Sequence, residues 1–308
     1  MGYDARVASA IILCAGFGTR LRPLTDELPK PLVPVGDRTI LEHALSGLEA
    51  AGIREVVINV HHLPERFASV VSRCSANVHV VVESEIRGTA GGVAGARAHL
   101  ASAPVLVWNG DILVTPPIAQ LLAQCEAQSF CFGVSRRSGG DGTVGLSAEG
   151  NVVRLRGERF GTEVQSADYV GVLALGADAL AALPERGCLF GDAALPLLRA
   201  GGRVRSVPIA GPWTDAGDPH SLLSANLAWL ATRGLGSFVD QRAELAPGLE
   251  IRQAVIGAGA RVEGTGLIER CVICPGAPAV APLRDVIVAP SGRVIDALPQ
   301  VERSVPRV

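Results

Sequence analysis

At 308 residues, 48% hydrophobic and 19% charged, the chain suits one large α/β domain, or a domain with an appendage, around a sizeable core. A net charge of −2 and a pI near 6.3 exclude a global field that would draw it to nucleic acid or a membrane, so an anionic ligand must meet locally placed cations. No apolar segment follows a basic start and no apolar run would span a bilayer, and the seven cysteines are scattered and odd in number. Together these imply a cytosolic chain with reduced thiols.

The first element is a short buried strand, Ala10 to Cys14, breaking into the small-residue loop Ala15-Gly16-Phe17-Gly18-Thr19-Arg20, where backbone N–H groups can approach a phosphate closely. Arg20 and Arg22 add charge, and Lys30 follows between Pro29 and Pro31. It is the only lysine among 28 basic residues, in a chain that otherwise uses arginine throughout. An ammonium is a compact, rotatable donor that a planar guanidinium does not replace. Gly16-Phe17-Gly18 continues as Thr19-Arg20-Leu21, so the dinucleotide pattern G-x-G-x-x-G fails here.

Leu41, Ala44, Leu45 and Leu48 give a helix from Ile40 to Ala51. A strand at Val56–Val60, a helix from Pro64 to about Ser72 and a strand at Val78–Val82 follow. Gly88-Thr89-Ala90-Gly91-Gly92 opens a helix reaching Leu100. A strand at Val105–Trp108 ends in Asn109-Gly110-Asp111, then come a helix at Pro116–Ala127 and a strand at Phe130–Val134. This alternation predicts a three-layer, mostly parallel mixed sheet, with ligands beyond the carboxyl ends of its strands. From Asp141 to Arg159 short strands with turns take over, and Tyr169–Leu175 is a further strand. Helices are expected at Asp178–Leu183, Asp192–Ala200 and Pro219–Ala231, and Val204–Ile209 is extended. Asp218 before Pro219 reads as an N-cap.

Past Gly236 the period changes. Ile256, Val262, Ile268, Cys274, Val280 and Val286 recur every six residues, with glycines between, which predicts a short left-handed parallel β-helix of two or three coils. The domains are expected at 1–235 and 236–308, the second packing on the first or forming a homo-oligomer contact. Cys271 and Cys274 form a C-x-x-C with no second pair or histidine cluster to complete a metal site, and read as apolar fillers.

The run LCAGFGTRLRPLTDELPKPLVPVG resembles the signature of the sugar-nucleotide pyrophosphorylases, the nucleoside-triphosphate:sugar-1-phosphate nucleotidyltransferases. At motif level the likeness covers roughly residues 8 to 232. It implies a Rossmann-like nucleotidyltransferase domain in which a sugar-1-phosphate oxygen attacks the α-phosphate of a nucleoside triphosphate and pyrophosphate leaves. Such a reaction needs two anions held in line and their charge neutralised.

By this resemblance Leu13, Ala15, Gly16, Gly18, Thr19 and Arg20 hold the nucleotide, and Lys30 bridges its α-phosphate and the incoming phosphate. Arg20, Lys30 and Asp111 form the catalytic set. Asp111 and Asp215 are the expected Mg²⁺ ligands; a carboxylate at a buried strand end is in any case costly unless paired or metal-bound. Glu83, Gly88 and Thr89 match the segment that meets the base. A carboxylate only accepts hydrogen bonds, and guanine offers two adjacent donors, so Glu83 favours GTP, as in the mannose-1-phosphate and heptose-1-phosphate guanylyltransferases. The uridylyltransferase acting on N-acetylmuramic acid 1-phosphate has a similar opening motif, and a thymidylyltransferase is the related alternative.

On the sugar side the chain departs from the family's E-K-P and N-A-G segments, reading Arg154-Leu155-Arg156-Gly157 and Tyr169-Val170-Gly171. Gly142, Arg156, Glu163, Tyr169 and Gly171 are the expected sugar-phosphate contacts, with the sugar left open. Two other classes are alternatives: a non-catalytic regulatory subunit, which should lack one of Arg20, Lys30, Asp111 or Asp215, and a glycosyltransferase, which would favour D-x-D over Asn109-Gly110-Asp111.

Overall fold

A computed structural model describes residues 8–100, 104–139 and 141–298. They form two compact bodies, one of residues 8–17, 29–31 and 40–214, the other of 18–28, 32–39 and the described residues from Asp215 on.

The first body is built on a ten-stranded mixed sheet. Its strands are β1 (Ser9–Leu13), β2 (Glu55–Val60), β3 (Asn77–Val82), β4 (Val105–Asn109), β5 (Phe130–Arg136), β6 (Val144–Leu146), β7 (Val152–Leu155), β8 (Glu158–Arg159), β9 (Gln165–Leu175) and β10 (Val204–Pro208). The order is β8-β7-β6-β9-β4-β1-β2-β3, with β5 pairing β9 and β10. The centre, β4-β1-β2-β3, is parallel, whereas β9 runs antiparallel to β4, β5 and β6. Successive residues Ala10, Ile11 and Ile12 are all buried, so both faces of the sheet are covered. Helix α1 (Ile40–Ala50) covers one face, where a Cβ at Gly47 would lie 3.3 Å from Trp108. On the other, Ile11, Val57 and Val107 share a core with Ala90 and Val93 of α2 (Gly88–Gly95). The predicted three layers are present.

Four helices differ from expectation. The one from Gly88 does not reach Leu100: it ends at Gly95 and a 3₁₀ turn, Arg97–His99, follows. The one from Pro64 is a 3₁₀ turn, Pro64–Phe67, followed by the single turn Ala68–Val71. The one from Pro116 is only Ile118–Ala123, because adjacent prolines hold the preceding backbone out of the α region. The segment expected from Asp192 starts earlier, as a π-helix at Leu189–Ala194 running into Leu195–Arg199; the Asp192 carboxylate ties back to the Cys188 N–H at 2.7 Å.

In the second body α3 (Pro219–Thr232) anchors residues 34–36 through a buried amide. Asn226 accepts from Gly36 N at 2.9 Å and donates to Pro34 O at 3.1 Å. The tail is a stack of short strands: β11 (Phe238–Val239), β12 (Glu244–Leu245), β13 (Leu249–Arg252), β14 (Val255–Ile256), β15 (Arg261–Glu263), β16 (Gly266–Ile273), β17 (Pro278–Val280), β18 (Leu283–Val288) and β19 (Val294–Asp296). Parallel partners run Phe238–Val255–Val272, Glu244–Arg261–Pro278 and Leu249–Gly266. Each of these steps is one residue short of three six-residue steps, and β16 pairs β18 in parallel at Ile268–Leu283, shorter still. The six-residue pattern therefore holds at Ile256, Val262, Ile268 and Cys274, all buried, and then slips. Ala279, not Val280, faces Val262, and Val280 is 64% exposed. Antiparallel β19 closes the stack on β18. Cys271 and Cys274 are free and buried, as fillers should be.

Asp218 caps α3 as predicted: its carboxylate accepts from Ser221 N at 2.8 Å, and its own N–H donates to Ser221 Oγ at 3.0 Å. Burial alone would raise its pKa, but the Ser221 hydrogen bonds and the charge of Arg20 hold the carboxyl below its ordinary value. A depressed folded pKa stabilises above the unfolded value and ceases to do so as pH falls through the folded one. Asp218→Ala should therefore cost about 1 kcal/mol at pH 7. The gap from wild type should narrow as pH drops below about 4, as read from urea midpoints across that range.

Candidate active site

Because β1 and β4 are parallel neighbours, Leu13 and Asn109 end together, and the segments that follow them leave the same edge of the sheet. Gly110 donates its N–H to Leu13 O at 2.9 Å, turning the chain so that Asp111 leaves the strand end. Lys30 Nζ meets Asp111 Oδ2 at 2.7 Å, its side chain 9% exposed and that of Asp111 36%. An ammonium this buried requires a nearby anion, and a carboxylate at a buried strand end requires a cation; each satisfies the other. Beneath them lies Cys14, whose thiol is pushed up by burial and by the charge of Asp111, so it stays a neutral, inert filler.

The glycine loop divides between the bodies. Leu13 ends β1, Ala15 is buried, Gly16 has open space where a Cβ would be, and Phe17 lies edge-on to His61 with centroids 5.2 Å apart. Gly18, Thr19 and Arg20 belong to the second body, where Thr25 Oγ1 donates to Gly18 O at 2.9 Å. There Arg20 pairs with Asp215 at 3.3 Å, both substantially exposed. The four residues expected to carry charge chemistry thus form two ion pairs, Lys30–Asp111 in one body and Arg20–Asp215 in the other.

Gly88 has a φ of +76°, and a Cβ there would strike Gly187 O. Ala90 N donates to Gly187 O at 2.9 Å, Gly187 N to Arg87 O at 2.8 Å and Leu189 N to Thr89 Oγ1 at 2.9 Å. The Gly88–Thr89 turn is thereby held by the segment entering the π-helix, a partner that sequence spacing gave no sign of. Glu83 is 4% exposed and faces inward: its carboxylate accepts from Asn59 Nδ2 at 2.7 Å and from Arg87 N at 3.1 Å.

Two clusters hold the residues expected around the sugar. Arg154 is the centre of the first. It donates to both Glu163 oxygens at 2.8 and 3.0 Å, to Gly142 O at 3.1 Å and to Ser166 Oγ at 3.2 Å. Its hydrogen bonds hold the Glu163 carboxyl below its ordinary value, although burial opposes this. In the second, Tyr169 packs against Phe132 and Phe190, with centroids 5.4 and 4.7 Å away. Burial, then the charge of Asp111, raises its phenol pKa, so Tyr169 is a neutral donor near that acid. Gly171 lies where β9 shifts register against β5. Arg156 is an exposed turn residue whose Nη2 reaches Cys188 Sγ at 3.4 Å. The sequence reading does not place the two phenylalanines at the site; their positions on β5 and on the π-helix, far apart in sequence, bring them to Tyr169.

Among the described residues no three His, Cys, Asp or Glu cluster as a metal cage, and no helix is long and apolar enough to cross a membrane. Mg²⁺ keeps several waters and is commonly held by one or two carboxylates with substrate phosphates. The partly exposed carboxylate of Asp111 in the first body is a donor of that kind, as is that of Asp215 in the second.

A lysine, an acid and glycine turns at the carboxyl ends of parallel strands are the arrangement of the open α/β proteins, whose ligands bind beyond those ends. The more particular assignment follows from comparison: residues 9–232 match the nucleotidyl transferase family model, and the chain belongs to that family. Mannose-1-phosphate guanyltransferase of Schizosaccharomyces pombe is 31% identical over 244 residues, covering 72% of this chain and 64% of that protein. The chain thus spans less than two thirds of that relative. Mannose-1-phosphate guanylyltransferase of Mycobacterium tuberculosis is 30% identical over 303 residues, covering 85% of this chain and 83% of that one. Among solved structures, HddC of Yersinia pseudotuberculosis, crystallised with GMP-PN, shares the fold with a TM-score of 0.61 and 18% identity, over 72% of this chain and 99% of that one.

A Cβ at Gly110 would lie 2.7 Å from Leu13 O and 2.8 Å from Cys14 Sγ. Gly110→Ala must therefore move β1 against Asp111. The expected loss is about 1–3 kcal/mol in chemical denaturation, with a melting temperature well below that of Gly16→Ala, where the space is open.

Proposed function

We propose that this chain transfers a guanylyl group from GTP to a mannose-1-phosphate-like sugar 1-phosphate, with Mg²⁺, releasing pyrophosphate. The observation that carries the reading is the Lys30–Asp111 pair at the end of β4. An oxygen of the sugar phosphate attacks the α-phosphorus, and the bond from that phosphorus to pyrophosphate breaks. Little covalent help is needed; the protein places two anions and neutralises developing charge. Lys30 is an ammonium with three rotatable donors, the group we assign to the α-phosphate and the incoming phosphate. Gly16, Gly18, Thr19 and Arg20 cradle the triphosphate. Asp111 and Asp215 would hold Mg²⁺, which supplies charge neutralisation on the phosphates.

GTP is favoured over UTP and dTTP by the activities named for the curated relatives, with Gly88 and Thr89 at the base. On the sugar side Tyr169 replaces an amide with a single phenolic group on an aromatic body, beside the Arg154–Glu163–Gly142 cluster. A regulatory, non-catalytic role is disfavoured because Arg20, Lys30, Asp111 and Asp215 are all present. We assign catalysis to residues 1–235 in the cytoplasm, where seven free cysteines persist. The stacked tail we read as a left-handed parallel β-helix and homo-oligomer contact; exposed Val239 and Leu245 lie on its outermost strands. Light scattering of Leu245→Glu against wild type should show fewer subunits; an unchanged mass sinks that assignment.

The deciding experiment is a pyrophosphate-release screen of GTP, UTP, ATP, CTP and dTTP against a panel of sugar 1-phosphates. GTP with mannose 1-phosphate or a close relative should lead, and no turnover across the panel would overturn the reading. Lys30→Ala should lower kcat/KM by about 10²–10³-fold without changing the circular dichroism spectrum, and Lys30→Arg should not restore it. Asp111→Asn should abolish both activity and its Mg²⁺ dependence.

A further inference from the structure

We infer that Glu83 is a positioning residue, a buried clamp that sets the nucleotide loop against the Gly88–Thr89 turn, and does not itself read the base. The inference rests on the nucleotidyl-transfer reading above. Three segments that leave neighbouring parallel strands meet at Glu83: the loop after β1, the end of β2 and the turn into α2. Asn59, the penultimate residue of β2, accepts on Oδ1 from Cys14 N at 2.9 Å and donates from Nδ2 to Glu83 Oε1 at 2.7 Å. Glu83 Oε2 accepts from Arg87 N at 3.1 Å, immediately before Gly88. The Glu83 carbonyl is 2.8 Å from His61 Nδ1, and His61 carries the ring of Phe17 from the glycine loop. One residue thus holds the approach to Gly88 directly and reaches the glycine loop through Asn59 and His61.

The chemistry fixes the order of these bonds. A carboxylate has no donor, so it must face the NH₂ of Asn59, which leaves the amide oxygen for Cys14 N. Asn59 and Arg87 together supply two donors, and only a carboxylate presents two acceptors to them. A base reader needs its polar edge turned to the ligand, whereas Glu83 is 4% exposed with an oxygen on each of two protein donors.

The amide–carboxylate pair can be exchanged. In Glu83→Gln one amide must turn its NH₂ on another buried N–H, whichever way Asn59 is flipped. In Asn59→Asp two carboxylates face each other. In Asn59→Asp with Glu83→Gln the acid accepts from Cys14 N and from the new amide, whose oxygen accepts from Arg87 N, so every group is again satisfied.

The test is a cycle of these variants with two readouts. In turnover with GTP, UTP and dTTP, Glu83→Gln should lose about ten- to a hundredfold in kcat/KM by a similar factor for each triphosphate. The double exchange should recover most of the loss, with GTP still preferred. A Glu83→Gln enzyme that changes its preferred base, or a double exchange no better than Glu83→Gln alone, overturns the inference. In urea unfolding, the double exchange should be more stable than Glu83→Gln, and additive effects would again overturn it. The unfolding readout needs no substrate, so an inactive wild type would refute the nucleotidyl-transfer reading while leaving the clamp separately measured. If Asn59→Asp alone does not fold, the comparison of Glu83→Gln with the double exchange still decides.

Discussion

A buried ammonium is the constraint around which the first body is arranged. Lys30 is nearly enclosed, and removing such a charge from water costs several kcal/mol unless an anion is supplied at contact distance. Asp111 supplies it, and is itself tolerable at the end of an apolar strand only because a cation waits there. Pro29 and Pro31 restrict the backbone carrying the lysine, and the Gly110 turn aims the acid. Neither residue could be placed by local structure alone; the parallel register of β1 and β4 brings Gly110 to Leu13.

The same topology explains why function collects at one edge. In a parallel centre every strand delivers its carboxyl end to the same side, so the loops after β1, β2, β3 and β4 are neighbours. Loops carry many backbone polar groups, and here side chains satisfy them: buried Asn59 and Glu83 between three strand ends, half-buried Thr89 and exposed Asp192 around the π-helix. Such links remove freedom from segments that must hold an anionic ligand without reorganising. Arg154 does comparable work on the antiparallel side, tying Glu163, Ser166 and the Gly142 carbonyl into one cluster.

How much was legible in the sequence follows from the range of the forces involved. Local patterns gave the central strands, α1, the Asp218 cap and the change of period past Gly236, because each depends on residues a few positions apart. The long opening motif marked Lys30 and the glycine loop. The slip from Val280 to Ala279 was not legible: a six-residue count treats every corner alike, while real rungs are set by cross-strand pairing. Glu83 could be found but not oriented, since its environment depends on Asn59, 24 positions away. Phe132 on β5 and Phe190 on the π-helix were missed because an aromatic signals only burial until Tyr169 arrives from β9.

The solitary lysine now has a structural counterpart. The arginines of this chain commonly grip acids with more than one nitrogen, as Arg154 does with Glu163 at 2.8 and 3.0 Å. Such a fork at position 30 would close on both oxygens of Asp111 and hold the acid fully engaged. Lys30 instead meets one oxygen of Asp111 through a single nitrogen, which leaves Asp111 partly exposed. A group that must stay buried with a carboxylate and still share its charge with arriving phosphates needs rotatable, separable donors. On the proposed reading, that need explains why a chain so committed to arginine keeps an ammonium at this one place.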